Sequence, residues 1–79
     1  MAWVEIRCYA TLRECLPEGA KSGIYNYETN KSTIKEVVKE LALPEQQLHL
    51  IMKNGVKVEI DEPIQDGDRI GFFPPIGGG

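Results

Sequence analysis

The chain has 79 residues, of which 42 % are hydrophobic and 27 % are charged, and its formal net charge is -3. This composition is typical of one small folded domain rather than of a disordered chain. The pI of about 5.0 and the lack of a basic stripe argue against a nucleic-acid partner. The N-terminal residues do not resemble a signal peptide and no segment has the length of a membrane span, so we expect a cytoplasmic protein that does not bind a membrane.

The first third of the chain predicts two strands. From Trp3 to Tyr9 the residues alternate, and Val4, Ile6 and Cys8 fall on one face, which is the pattern of a half-buried strand. The next segment reads as a short helical turn or loop closed by a proline and a glycine. A second strand is predicted from Ile24 to Thr29, where strand-favouring residues are concentrated.

The middle of the chain predicts one helix. Thr33 and Glu36 have the spacing of a capping box at its start, and Pro44 is expected to end it. The apolar residues are spaced by three, one and three, which places them in a single stripe: Ile34, Val37, Val38 and Leu41.

The last third predicts three more strands. Asn54-Gly55 is the strongest short hairpin signal in the sequence, and it lies between predicted strands at Leu48 to Lys53 and Val56 to Ile60. Asp66-Gly67 predicts a turn before the final strand, Arg69 to Phe73.

The order strand, strand, helix, strand, strand, strand predicts an α+β protein. The economical arrangement is a mixed sheet of four to five strands packed on one main helix, which is the β-grasp layout of ubiquitin-like proteins. In this layout the first and last strands could lie side by side at the centre of the sheet. We expect a β-grasp domain over residues 1–75 and a flexible tail over residues 76–79.

Few residues of the chain are candidates for catalysis. The single histidine, His49, is expected to be an exposed strand residue, and no nucleophile lies at a recognisable spacing from it. We expect Cys8 and Cys15 to be in the reduced state and to be ordinary core or loop residues. One cysteine pair without nearby histidines forms neither a disulfide framework nor a zinc site. The acidic residues near Asp66 and Asp68 fit turns and lack the pattern of a calcium loop, so no metal site is expected.

The C-terminal sequence FFPPIGGG is the most unusual feature. Pro74 and Pro75 cannot donate backbone hydrogen bonds, so strand pairing is expected to stop there. Because glycine has no side chain, the backbone from Gly77 to Gly79 could enter a channel too narrow for other residues. We expect these glycines to be disordered in the free protein. A terminal carboxylate can attack the α-phosphate of ATP. The composition alone left open whether this segment is a frayed end or an arm that delivers the carboxylate to another protein.

This ending resembles the C-terminal signature of the MoaD family, the small subunit of molybdopterin synthase. In that signature Phe-Phe-Pro-Pro, an aliphatic residue and one variable residue precede a final Gly-Gly, so Gly77 would be the variable position. The segments YATLRE, from Tyr9 to Glu14, and IQDGDRIGFFPP, from Ile64 to Pro75, are similar to further family motifs. The Asn54-Gly55 turn is similar to the mid-domain hairpin of the family as well, and the resemblance covers essentially the whole chain.

The resemblance implies a sulfur carrier. Gly79 would be adenylated by a MoeB-like, ATP-dependent adenylyltransferase, and a sulfur donor would convert it to a thiocarboxylate. Ile76, Gly77 and Gly78 would thread into a MoaE-like large subunit, where sulfur passes to cyclic pyranopterin monophosphate during molybdenum cofactor biosynthesis. The chain itself would bind no cofactor, and it would be a subunit and co-substrate rather than an enzyme on its own.

The resemblance also implies a partner interface next to the tail. If Phe72 faces the helix, the alternation along the strand turns Phe73 to the opposite face, where Tyr9 also lies. Tyr9, Phe73, Pro74 and Pro75 are therefore the predicted interface residues. The pattern left two roles open for Arg13 and Glu14, a local ion pair or cap and a contact with a partner.

The sequence leaves alternatives to the molybdopterin pathway open. A ThiS-like carrier for thiamin thiazole synthesis would also end in Gly-Gly, although that family usually lacks the Phe-Phe-Pro-Pro run. The other alternative is a β-grasp interaction module without chemistry at its tail, and a ubiquitin-like protein conjugator is a further variant.

Overall fold

The computed structural model of the chain describes residues 1–75. Eight elements follow one another along these residues: β1 (Ala2–Cys8), a first 3₁₀ helix (Ala10–Cys15), β2 (Ile24–Thr29), α1 (Ile34–Glu40), a second 3₁₀ helix (Glu45–Gln47), β3 (Leu50–Lys53), β4 (Val56–Val58) and β5 (Arg69–Phe73).

The strands form one mixed sheet in the order β2-β1-β5-β3-β4. The central strands β1 and β5 are parallel, and the other neighbouring pairs are antiparallel. The predicted α+β architecture, with a five-stranded sheet and one main helix, is therefore confirmed, and so is the central pairing of the first and last strands.

The core lies between α1 and one face of the sheet. Ile6 opposes Ile70 and Cys8 opposes Phe72 across the central strand pair, and all four side chains are buried. Their partners from the helix stripe are Ile34, Val37 and Val38. Because side chains alternate along a strand, the residues between them face the opposite side of the sheet, which no helix of residues 1–75 covers.

The start of α1 is formed as the sequence predicts. The Thr33 hydroxyl accepts a hydrogen bond from the Glu36 backbone N–H at 3.3 Å, and the Glu36 carboxylate accepts one from the Thr33 N–H at 3.2 Å. These reciprocal bonds are the predicted capping box, and they satisfy backbone donors that the first helical turn leaves free.

The end of α1 differs from the prediction, because the helix stops at Glu40 and not at Pro44. Ala42 has a left-handed φ of 56°, its N–H donates to the Lys39 carbonyl, and the Leu43 N–H donates to the Val38 carbonyl. This pair of bonds is a Schellman motif, which satisfies the last carbonyls of the helix and turns the chain away.

The hairpin strands are shorter than predicted. β3 begins at Leu50 instead of Leu48 because the preceding residues belong to the second 3₁₀ helix and its cap. His49 is exposed as expected, but it lies just before the strand. β4 ends at Val58 instead of Ile60, since the chain turns after it, where the Glu62 N–H donates to the Glu59 carbonyl.

The other three strand predictions hold closely. β2 and β5 have the predicted bounds, whereas β1 is shifted by one residue because Tyr9 caps the first 3₁₀ helix. Asn54 and Gly55 both have positive φ, which is the backbone of the tight hairpin turn that their sequence favours. Within residues 1–75, no helix is long and apolar enough to cross a membrane.

Candidate functional site

The C-terminal end of β5 positions the tail. Backbone pairing continues to the last residue of this central strand, because the Tyr9 N–H donates to the Phe72 carbonyl at 3.2 Å and the His49 N–H donates to the Phe73 carbonyl at 2.9 Å. The strand ends at Phe73. Strand pairing was predicted to stop here, because Pro74 and Pro75 have no N–H to donate.

The tail predictions fall beyond this point. Ile76, Gly77, Gly78 and Gly79, with the predicted threading and thiocarboxylate roles and the expected disorder, lie outside the described residues. The described part of the chain therefore defines the base of the tail: a half-buried Pro74 followed by an exposed Pro75.

Two consecutive phenylalanines at this base face opposite ways. Phe72 points into the core and has no exposed surface. Phe73 points to the other face, where its ring stacks on that of Tyr9 with a centroid separation of 4.2 Å and an interplanar angle of 5°. Tyr9 keeps 38 % of its surface exposed. The structure thus brings two predicted interface residues together, and their contact with a partner stays a prediction.

A groove that the sequence reasoning missed adjoins this ring pair on the outer face of the sheet. Its volume is about 210 Å³, and it is lined by Arg7, Tyr9, Met52, Gly55, Arg69, Gly71 and Phe73. Side chains alternate between the two faces along β5. Since Ile70 and Phe72 are buried on one face, this alternation is a sequence signal that Gly71 lies on the other face. The neighbours from β1 and β3 depend on strand order and register, which no local pattern in the sequence encodes.

The charges around the groove are not all compensated internally. The Arg7 guanidinium donates to the Glu5 carboxylate, and this hydrogen bond, together with one to Tyr9, raises the pKa of Arg7. Among residues 1–75, the Arg69 guanidinium makes no ion pair. The backbone N–H of Arg69 donates to the Asn54 side-chain oxygen at 2.9 Å, which ties the end of β5 to the β3–β4 turn.

Arg13 and Glu14 lie exposed on the first 3₁₀ helix. Neither residue forms an ion pair within residues 1–75, so the local ion pair that was one of their predicted roles is not present there. Arg13 instead accompanies Arg7 in the lining of a second hollow beside the loop that contains Gly23.

The described residues contain two thiols and no metal cluster. Cys8 is buried and Cys15 is half-buried, and both are free. Burial, and to a smaller extent the proximity of Cys15, raises the pKa of Cys8 to about 11, so the Cys8 thiol is protonated at neutral pH. No group of three or more histidine, cysteine, aspartate or glutamate residues among residues 1–75 could hold a metal ion.

A mixed five-stranded sheet on one main helix, with the last strand leading to the C-terminus, defines a ubiquitin-like β-grasp protein. The family can be stated as well. The ThiS family model matches residues 6–79, nearly the whole chain, and the chain belongs to this family. None of the curated proteins compared with the chain matches it.

Solved structures agree with the fold. Small archaeal modifier protein 1 from H. volcanii is 22 % identical with a TM-score of 0.74, over 96 % of this chain and 100 % of that chain. A protein described as molybdopterin converting factor subunit 1, from Pyrococcus furiosus, is also 22 % identical, with a TM-score of 0.70 and the same coverage. Subunits 1 and 2 of molybdopterin-converting factor from Helicobacter pylori were solved as a complex that includes a chain 25 % identical to this one. Its TM-score is 0.61, over 98 % of this chain and 99 % of that chain.

Proposed function

We propose that the chain is a sulfur carrier that acts as the small subunit of a molybdopterin synthase. The observation that carries this proposal is the ThiS family match, which runs to residue 79 and so includes the terminal Gly78-Gly79 pair. The Phe-Phe-Pro-Pro run before these glycines favours the molybdopterin branch. The complex of the H. pylori converting-factor subunits supports a second, MoaE-like subunit as the partner.

The proposed chemistry takes place at the carboxylate of Gly79. A carboxylate oxygen attacks the α-phosphate of ATP in a MoeB-like activating enzyme, which releases pyrophosphate and leaves an acyl-adenylate. Sulfide from a donor then attacks the acyl carbon, AMP leaves, and a thiocarboxylate remains. In the large subunit the thiocarboxylate sulfur would attack a carbon of cyclic pyranopterin monophosphate to form a thioester. Water would then cleave the bond between the acyl carbon and sulfur, so that the sulfur stays on the pterin and the carboxylate is regenerated.

The geometry at the base of the tail supports this function. A carrier must hold its tail firmly while leaving the end free to enter another protein. The fully buried Phe72 and the hydrogen bond from His49 to the Phe73 carbonyl fix the end of β5. From Phe73 to Gly79 the chain can extend about 20 Å, which is the reach of six further residues.

Intact-mass spectrometry tests the proposal. The protein is incubated with ATP, the activating enzyme of its own organism and hydrosulfide, and its mass is expected to rise by the difference between one sulfur and one oxygen atom. The matched control lacks Gly78 and Gly79 and is expected to keep its mass. An unchanged mass of the full chain under conditions where the enzyme consumes ATP would contradict the proposal.

A second candidate is favoured by the family name itself, since a ThiS-like carrier would supply sulfur for thiamin thiazole synthesis. The acceptor separates the two pathways. The thiocarboxylated chain is mixed with either a MoaE-like subunit and cyclic pyranopterin monophosphate or a thiazole synthase and its substrates. We expect sulfur transfer only in the first mixture, and transfer only in the second would assign the chain to the thiamin branch.

A further inference from the structure

β2 is an edge strand of the sheet, so one of its sides has no neighbouring strand among residues 1–75. Its other side pairs with β1 in an antiparallel register. In such a pair, residues that exchange hydrogen bonds alternate with residues whose N–H and C=O groups point away from each other. Every second residue of β2 therefore turns its backbone groups to the free edge.

The bonds that β1 makes to its other neighbour identify these outward residues. The Glu5 N–H donates at 2.9 Å to the residue that precedes β5, and the Trp3 carbonyl accepts at 2.7 Å from the turn before that strand. Both residues of β1 thus turn their backbone groups away from β2. Their register partners on β2 are Asn26, opposite Glu5, and Glu28, opposite Trp3. Asn26 and Glu28 therefore face outward.

The free part of the edge is limited to these two residues. At the start of β2, Ile24 exchanges both of its outward backbone bonds with Lys21, each at 2.9 Å. The backbone groups of Asn26 and Glu28 have no hydrogen-bond partner in the described part of the chain, and both residues are exposed. Donors and acceptors are thus available on either side of Tyr27.

The opposite edge of the sheet is less suited to pairing with another strand. β4 is three residues long and has Lys57 at its centre. Short edge strands and edge lysines are features by which natural sheets prevent contact between edges. β2 has six residues and contains no proline, glycine or lysine. Of the two edges, β2 is therefore the one open to a further strand.

The spacing of the two free residues makes this edge complementary to itself. When two copies of β2 lie antiparallel about Tyr27, Asn26 of each copy is opposite Glu28 of the other. The outward N–H and C=O groups of both copies are then satisfied by one another. Side chains directly opposite each other have Cβ atoms about 4.5–5.5 Å apart, so the Asn26 amide can donate to the opposing Glu28 carboxylate. On the helix side of the sheet the two Tyr27 rings meet.

The flank of α1 above β2 favours a second copy over an apolar peptide. The Glu40 carboxylate accepts hydrogen bonds from the hydroxyls of Tyr27 at 3.1 Å and Thr29 at 2.7 Å, which places this flank over β2. The hollow there is lined only by charged residues: Lys31, Glu36, Lys39 and Glu40. It offers no apolar pocket for the alternate side chains of an added peptide strand. Two lysines and two glutamates are instead complementary to the same set on a second copy.

We propose that two copies of this chain associate through β2 and join their sheets into one continuous sheet. The two-fold axis stands perpendicular to the sheet, so both α1 helices lie on one face. The two β5 strands are separated by five strand spacings, or at least about 24 Å, and they point in opposite directions. The dimer leaves both tail bases accessible. The inference uses no tail residue and does not depend on the proposed function.

Sedimentation equilibrium measures the association. Pairing of one short edge is a small contact, below about 1,200 Å², so we expect a Kd on the order of 100 μM. The wild-type mass should therefore rise from that of a monomer at about 10 μM towards that of a dimer at about 1 mM. Asn26→Pro removes an outward N–H from each copy and should stay monomeric at both concentrations. Proline is tolerated here because this N–H is not part of the ladder with β1.

The matched control is a proline at the other edge. Lys57 has an equivalent outward N–H, because it follows the hydrogen-bonded pair that closes the Asn54-Gly55 turn. Lys57→Pro should therefore dimerise like the wild type. Circular dichroism establishes first that both proline variants fold. A folded Asn26→Pro variant that dimerises as well as the wild type would overturn the proposal.

Charge at position 26 tests the register and does not depend on the proline variants. Asn26→Asp sets a carboxylate opposite Glu28 in both halves of the contact, so the Kd should rise about threefold or more. Asn26→Lys sets opposite charges together and should lower the Kd by a similar factor. An unchanged Kd in both variants would show that these positions do not meet, and the proposed contact would be wrong.

Nuclear magnetic resonance locates the contact on the wild-type chain. The backbone amide resonances of Asn26 and Glu28 are expected to shift as the protein concentration rises, whereas that of Lys57 should not. A wild-type chain that stays monomeric at about 1 mM overturns the proposal. Shifts of these two amides that appear only when a MoaE-like subunit is added would assign the edge to that partner instead of a second copy.

Discussion

Phe72 and Phe73 are neighbours in the sequence, and truncating each to alanine should give opposite phenotypes. Phe72 has no exposed surface and lies in the core between the sheet and α1. Truncating a fully buried phenylalanine to alanine costs about 3–5 kcal/mol, because transfer energy is lost and a cavity remains. At about 0.05–0.15 kcal/mol per residue, a domain of this size has a total stability of about 4–12 kcal/mol. Phe72→Ala should therefore remove a large fraction of that stability.

Phe73→Ala should be much milder for the fold. Its ring is half-buried and stacks on Tyr9 at a centroid separation of 4.2 Å. An aromatic pair of this kind contributes about 0.5–1.5 kcal/mol beyond its buried area, so we expect a loss of about 1–2 kcal/mol. Since the ring faces the open side of the sheet, the same substitution should weaken binding of the two proposed partners, the activating enzyme and a MoaE-like subunit.

Urea denaturation followed by circular dichroism measures both effects. The free energy of unfolding is extrapolated to water for wild type, Phe72→Ala and Phe73→Ala, and an unchanged slope against urea confirms that the comparison is one of stability. Loss of the folded signal without urea counts as the expected result for Phe72→Ala. The reasoning would be refuted if Phe73→Ala lost as much stability as Phe72→Ala, or if Phe72→Ala lost less than about 1 kcal/mol.

Four further predictions concern the groups that hold the scaffold. Thr33→Ala removes the helix N-cap and should lower the free energy of unfolding by about 1 kcal/mol in urea titrations. Hydrogen bonds from the backbone N–H groups of Ser32 and Thr33 lower the pKa of Glu36 below 4.5. The stabilisation from this carboxylate is thus fully present above pH 4.5 and is lost as the pH falls through the lowered pKa, and Glu36→Gln should flatten that part of the stability profile. Asp68→Ala leaves a backbone N–H and an asparagine amide without their acceptor, so unfolding should need about 1–3 kcal/mol less, and an effect below 0.5 kcal/mol would contradict the role assigned to this buried carboxylate. Cys8, with its raised pKa of about 11, should react with a thiol reagent at pH 8 much more slowly than the second cysteine, and equal rates in the native state would contradict its burial.

The parts of the fold that depend on local signals could be predicted from the sequence. The alternation before Cys8, the apolar stripe from Ile34, the capping box and the Asn54-Gly55 turn each determine an element by themselves, and each is present in the structure. The end of α1 could not be predicted, because alanine at position 42 adopts a left-handed φ that its residue type does not favour. The hydrogen bonds of the Schellman motif, and not Pro44, end the helix.

The sequence predicts those parts of the candidate site that depend only on residues next to each other in the chain. Opposite orientations of Phe72 and Phe73 follow from alternation, and the two faces are as expected. The groove over Gly71 is different, because it combines Arg7, Met52 and Arg69 from three strands. Their proximity depends on the parallel register of β1 with β5 and the antiparallel register of β3 with β5, which are properties of the assembled sheet.

Tandem mass spectrometry of the chain after reaction with ATP, activating enzyme and hydrosulfide tests the central claim most directly, because it locates the sulfur. The account predicts that one oxygen is exchanged for sulfur and that the change lies in the fragment that ends at Gly79. An exchange located in a fragment that does not contain Gly79, or no exchange while the enzyme consumes ATP, would contradict it. In that case the C-terminal carboxylate would not be the working group of this protein.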